Sequence, residues 1–123
     1  MREEFLKVLQ QFPVFDSHEH LPHERDMRNS ETDVIDFMTP YVCDNLMSCG
    51  LEESVWKKAN DKRIPFRERF AAIEKYVNAV RYTTYFRSMM RGLESCFGMR
   101  VFTLSECERV NAVLREGIDT CAI

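Results

Sequence analysis

The residues best equipped for chemistry lie in one short run, Asp16-Ser17-His18-Glu19-His20-Leu21. In extended backbone, side chains two apart fall on one side at a rise of ~3.3 Å per residue, so His18 and His20 can converge on a single metal ion. Asp16 shares their parity and can accept a ring N–H, fixing the tautomer that leaves the other nitrogen to the metal. The run holds two of the chain's three histidines and follows the β-forming pair Val14-Phe15. It reads as a site for a divalent metal, zinc first and manganese as the alternative.

Spacing separates this pattern from two others. A helical His-Glu-x-x-His site would need histidine at position 22, which is Pro22, a residue that breaks such a helix. Pro22 also stands where His-x-His-x-Asp-His hydrolases keep their metal-binding aspartate. His23 has the opposite parity and follows the proline, so it reads as a loop residue rather than a third ligand. Arg25 and Arg28, in the same stretch, carry guanidinium forks that match a substrate carboxylate; with Glu24, Asp26 and Glu31 beside them they also fit a plain charged loop.

The elements that must position these residues are mostly helical. Phe5, Val8, Leu9 and Phe12 form the stripe of a helix over 2–12 that Pro13 ends, and residues 14–20 form the one expected strand. Residues 22–31 lack periodicity and read as a loop. Thr32 or Asp33 caps a short helix through Met38, and Thr39-Pro40 opens another that Gly50 stops. A helical piece surrounds Trp56. Pro65 starts the strongest helix, with Phe66, Phe70, Ile73, Val77 and Val80 on its apolar face and Arg67, Glu68, Arg69, Glu74 and Lys75 as the charges around it. After a joint at 81–85, a helix carrying Phe86, Met89, Met90, Leu93 and Phe97 runs to Gly98. A last one follows the Ser105-x-x-Glu108 box until Gly117. The aromatic and methionine stripes, and Trp56, read as packing surface.

Composition narrows the function classes. With 17 Lys+Arg against 20 Asp+Glu the net charge is -3, so no overall field draws the chain to nucleic acid or to anionic lipid. No run approaches the ~18 apolar residues of a membrane span, and Met1-Arg2-Glu3-Glu4 is no secretory leader, so the expected compartment is the cytoplasm. Five cysteines without a Cys-x-x-Cys pair read as reduced thiols.

Asp16-x-His18-x-His20 at the end of an apolar run resembles the amidohydrolase superfamily, metal-dependent hydrolases whose first barrel strand ends in Asp-x-His-x-His. The continuation through Tyr41 to Leu51, then Phe70 to Tyr85 with Arg81 and Thr83, then Leu93 to Gly98, is similar to the subset, uronate isomerases included, that inserts helices after that strand. The resemblance implies a mostly α chain with one short strand: the opening β/α unit plus a helical insertion of an incomplete (β/α)8 TIM barrel. Residues 1–21 would be the leading helix and metal-binding strand, 33–98 the insertion and 103–117 a further helix. His18 and His20 would bind the metal with Asp16 beside them, and Arg81 and Tyr85 join Arg25 and Arg28 as candidates to contact substrate. The implied activity is hydrolysis of a small molecule at an amide, ester or lactone bond by metal-activated water, with isomerase or decarboxylase chemistry possible on the same scaffold. Because such a barrel takes at least ~200 residues, the expectation is an N-terminal portion, inactive alone, whose partner is the missing barrel portion or a second copy. The rival expectation is a non-catalytic helical domain that associates through its apolar faces.

Overall fold

The computed structural model describes residues 1–13 and 31–120, the side chains of 117–120 excepted. Its elements are α1 (Arg2–Leu9), a 3-10 turn (Asp36–Met38), α2 (Val42–Ser48), α3 (Glu53–Asn60), α4 (Phe66–Val80), α5 (Thr84–Phe97) and α6 (Leu104–Thr120). Among the described residues there is no strand and no sheet, and this corrects the expectation of a β/α unit opening a TIM barrel. The physical reason is that the apolar helix faces close on one another instead of awaiting a sheet. The segment expected as the strand, 14–20, lies outside the described residues, as does the loop to residue 30.

Helix α4 is the axis of the packing. Phe70, Ile73, Val77 and Val80 recur at steps of three and four, so one stripe of the helix is buried along its length, against α2 and α3 among others. One core cluster gathers Ile35, Met38, Val42, Leu46, Ile73, Val77 and Phe86; a second gathers Val34, Phe70, Leu93, Met99, Cys107 and Val110. Phe102 joins the two, its ring 6.1 Å from that of Phe70 and 5.5 Å from that of Phe86, edge-on to the latter. Met89 and Met90 pack against both clusters, and Trp56 packs against the first, as their spacing on the sequence anticipates.

The helix ends follow capping chemistry, with shifts from the expected positions. Thr83 caps α5 by accepting the Phe86 N–H at 3.4 Å, and Gly98 ends it at φ 65, a left-handed conformation that favours glycine. The N-terminus of α6 is capped from Thr103, whose Oγ1 accepts from the Glu106 N–H at 3.5 Å, two residues before the cap read at Ser105, while the Glu106 carboxylate pairs with Arg109. Nor does α6 stop at Gly117; it continues to Thr120. Tyr41, rather than Thr39-Pro40, precedes α2, because Thr39 continues the 3-10 turn with helical angles. That turn lets both Met38 and Val42 enter the core.

Cys107, fully buried on α6, is chemically silenced. Burial, then the carboxylates of Asp33, Glu106 and Glu108, push its thiol up to about 12. The folded state therefore holds this proton more tightly than the unfolded chain. The stability linked to it is complete below the unfolded thiol's pKa near ~8.5 and is lost as the pH rises toward 12. Alkylation by iodoacetamide at mildly alkaline pH is expected to modify exposed Cys49 and Cys96 while Cys107 stays unmodified until denaturant is added. Peptide mapping by mass spectrometry reads this directly, and rapid native labelling of Cys107 would contradict the packing of α6.

Candidate functional site at the foot of the histidine segment

The sequence-derived ligands His18 and His20, with Asp16, Arg25 and Arg28, all lie outside the described residues. What the structure does show is how the chain that follows them is attached. Asp33, thirteen residues after His20, is buried, and its carboxylate is the hub of an ion cluster. Arg69 Nη2 donates to Asp33 Oδ2 at 2.6 Å, and Lys62 Nζ lies 2.8 Å from the same oxygen. Oδ1 of Asp33 accepts the Ile35 N–H at 2.9 Å. Asp36 returns the arrangement, accepting the Asp33 N–H at 2.7 Å and pairing with Lys62 at 2.7 Å.

Arg69 is as deeply placed as Asp33 and is fully used. Beyond Asp33, its Nε donates to the Ile64 carbonyl at 2.9 Å and its Nη1 to the Ala59 carbonyl at 3.1 Å, and the guanidinium lies 5.5 Å from the centre of the Phe66 ring. It thus ties the end of α3 and the α3–α4 turn to the residue where the chain enters the body. A second tie comes from α6, where buried Asn111 accepts the Val34 N–H through Oδ1 at 2.8 Å. These contacts satisfy the polar groups that burial would otherwise penalise.

The cluster floors a cleft of about 480 Å³ lined by Glu31, Thr32, Lys62, Phe66, Asn111 and Arg115 together with the Asp33–Arg69 pair. Asp33 here accepts from two cations and one amide and so is a positioning residue, not a free base. The structure puts it where the histidine-bearing segment joins the helices. Among the described residues no group of three or more His, Cys, Asp or Glu is placed to hold a metal ion. No helix among the described residues is long and apolar enough to cross a membrane.

Arg81 and Tyr85 are not brought together. Thr83 starts a new helix between them, leaving Arg81 after the end of α4, with its guanidinium 4.7 Å from the Tyr82 ring centre. Tyr85 instead stacks on Tyr41 at 5.1 Å with planes 17° apart, over an apolar groove that also includes Phe37, Met89 and Phe97.

Sequence reasoning missed Arg69 by counting it only among the charges around the apolar face of α4. The signal was its register: position 69 lies three before 72 and four before 73, adjoining the stripe of Phe66, Phe70 and Ile73. A charge on the edge of a buried stripe must find a carboxylate or carbonyl partner, and Asp33 was the aspartate already read as a cap. Compared with known protein families, with curated proteins and with solved structures, the chain matches none.

Proposed function

We propose that the chain serves a metal-dependent hydrolase of small molecules by delivering His18 and His20 to a divalent ion, with the helical body as the fixture that anchors the histidine segment. The observation that carries this reading is the buried Asp33–Arg69–Lys62 cluster at the foot of that segment. A ligand pair held on a tether too loose to repeat its geometry binds metal weakly, and anchoring by satisfied buried contacts lowers that cost. When bound, the divalent ion supplies Lewis acidity and a water acidic enough to act as nucleophile near neutral pH. His18 and His20 would hold it through imidazole nitrogens, Asp16 would orient an imidazole by accepting a ring N–H, and Arg25 and Arg28 would pair with a carboxylate of the substrate. His18 and His20 make two ligands where catalytic zinc usually has three from protein, so the proposed site requires a further ligand.

Purified under zinc, the chain is expected to retain the ion near stoichiometrically by elemental mass spectrometry, and His18→Ala and His20→Ala each to lose it. Metal retained in both variants would overturn the assignment.

A second reading, self-association, is favoured by α1. None of its residues is buried although Phe5, Val8 and Leu9 form an apolar face, and among the described residues no element covers the groove at Tyr41 and Tyr85. The occupant this reading takes is α1 of a second copy, whose exposed apolar face matches the apolar groove. Sedimentation should then show a dimer that Phe5→Glu converts to monomer; a monomeric unaltered chain would contradict this reading.

A further inference from the structure

The positive charge of this chain is unevenly placed. One cleft of about 480 Å³, between the C-terminal end of α4, the outer side of α5 and the 99–103 connection, is lined by Arg81, Arg87, Arg91 and Arg100 with Glu94 as its one carboxylate. Four guanidinium groups against one carboxylate gather in a molecule whose net charge is -3. Such a concentration offers an anion several donors at once.

The arginines are incompletely engaged. Glu94 reaches Arg91 only at 3.3 Å and Arg100 only at 3.8 Å, both on exposed side chains. Arg81 lies over the Tyr82 ring, a contact that leaves its N–H groups available. Arg87 forms no ion pair among the described residues and sits one helical turn before Arg91, so the two project from one side of α5. Beneath this rim the cleft is apolar, with Val77, Phe86, Met90 and Phe102 along its base, and Thr103 adds a neutral hydroxyl.

We propose that this cleft is a binding site for a small organic phosphate, a phosphomonoester whose dianion is held by the Arg87 and Arg91 forks and whose apolar body rests on Met90 and Phe102. Planar guanidinium groups match phosphate oxygens two at a time, which favours phosphate over a lone carboxylate where several arginines converge. The volume falls in the range of small-ligand pockets and exceeds what a bare phosphate fills. These four arginines ring one cleft instead of forming a basic stripe, which argues for a small molecule over a nucleic acid. The site shares no residue with the histidine segment and stands or falls apart from the metal reading.

The test is isothermal titration of the full chain with phenyl phosphate and with inorganic phosphate. Phenyl phosphate is expected to bind one per chain and more tightly than inorganic phosphate. In the double variant Arg87→Ala, Arg91→Ala its affinity should fall by about tenfold or more, because both guanidinium forks that hold the dianion are gone. Both side chains are exposed, and an unchanged melting temperature verifies that the variant folds. Arg67→Ala, an exposed arginine outside the cleft, should leave the affinity as it was. Absence of binding, or binding indifferent to the double variant, would overturn the site. Equal affinity for the two phosphates, or tight binding of an oligonucleotide that phenyl phosphate fails to displace, would overturn the ligand class.

Discussion

Arg69→Ala is expected to lower the free energy of unfolding by about 3–5 kcal/mol, a large share of the roughly 5–15 kcal/mol available to a domain of this size. The substitution removes three donated hydrogen bonds at once, to Asp33, Ala59 and Ile64. It leaves the Asp33 carboxylate buried with Lys62 as its remaining cation, and the Ala59 carbonyl without that donor. The cost is therefore mostly the penalty of stranded polar groups rather than the net worth of the pair. Urea denaturation followed by circular dichroism reads it as a lowered midpoint at constant slope. A double-mutant cycle with Asp33→Ala should show coupling, because removing both charges abolishes the stranded one. A loss below about 1 kcal/mol would mean that the cluster is solvated and fixes nothing.

Phe70→Ala should destabilise by a similar amount, about 3–5 kcal/mol, through a different mechanism. The Phe70 ring is 1% exposed and stands between Phe66, at 6.0 Å, and Phe102, at 6.1 Å. Because Phe102 in turn contacts Phe86, the cavity left by the ring opens at the junction of the two core clusters. Neighbouring side chains on rigid helices relax only partly into such a space, so the transfer term and the cavity term add. The same denaturation experiment measures it. Phe70→Leu, which fills part of the space, should recover a portion of the loss, and equal losses for the two variants would place the effect elsewhere than in the cavity.

These two neighbours, one charged and one apolar, show how far the sequence carries. The helices from 42 to 97 were legible because their apolar residues repeat at steps of three and four, a pattern dictated by burial of one face and independent of which element covers it. What covers it was not legible. The same stripe fits a helix against a sheet or against other helices, and the described residues realise the second, against the expectation of a barrel's opening unit. Phe70 was read onto the apolar face from its register, whereas Arg69 next to it was counted only as one of the charges around that face. Its burial depends on Asp33, a partner 36 residues away that no local pattern reveals. The shift of the α6 cap from Ser105 to Thr103 has a similar origin. Both hydroxyl residues satisfy the short-range rule, and burial of Cys107 and Val110 decides the phase. Of the candidate site, the reading of Asp16, His18 and His20 rests on spacing alone and falls outside the described residues, whereas the Asp33–Arg69–Lys62 cluster emerged only from the fold.

The account's central claim is that the histidine segment and the helical body act as one metal-binding unit. Thermal unfolding of the full chain with and without excess zinc, run beside the double variant His18→Ala, His20→Ala, tests it most directly. An ion bound only by the folded state stabilises it by about 2.7 kcal/mol at a hundredfold excess over the dissociation constant, so the unaltered chain should melt several degrees higher with zinc and the double variant should not respond. Equal shifts in the two proteins, or none in the unaltered chain, would contradict the claim.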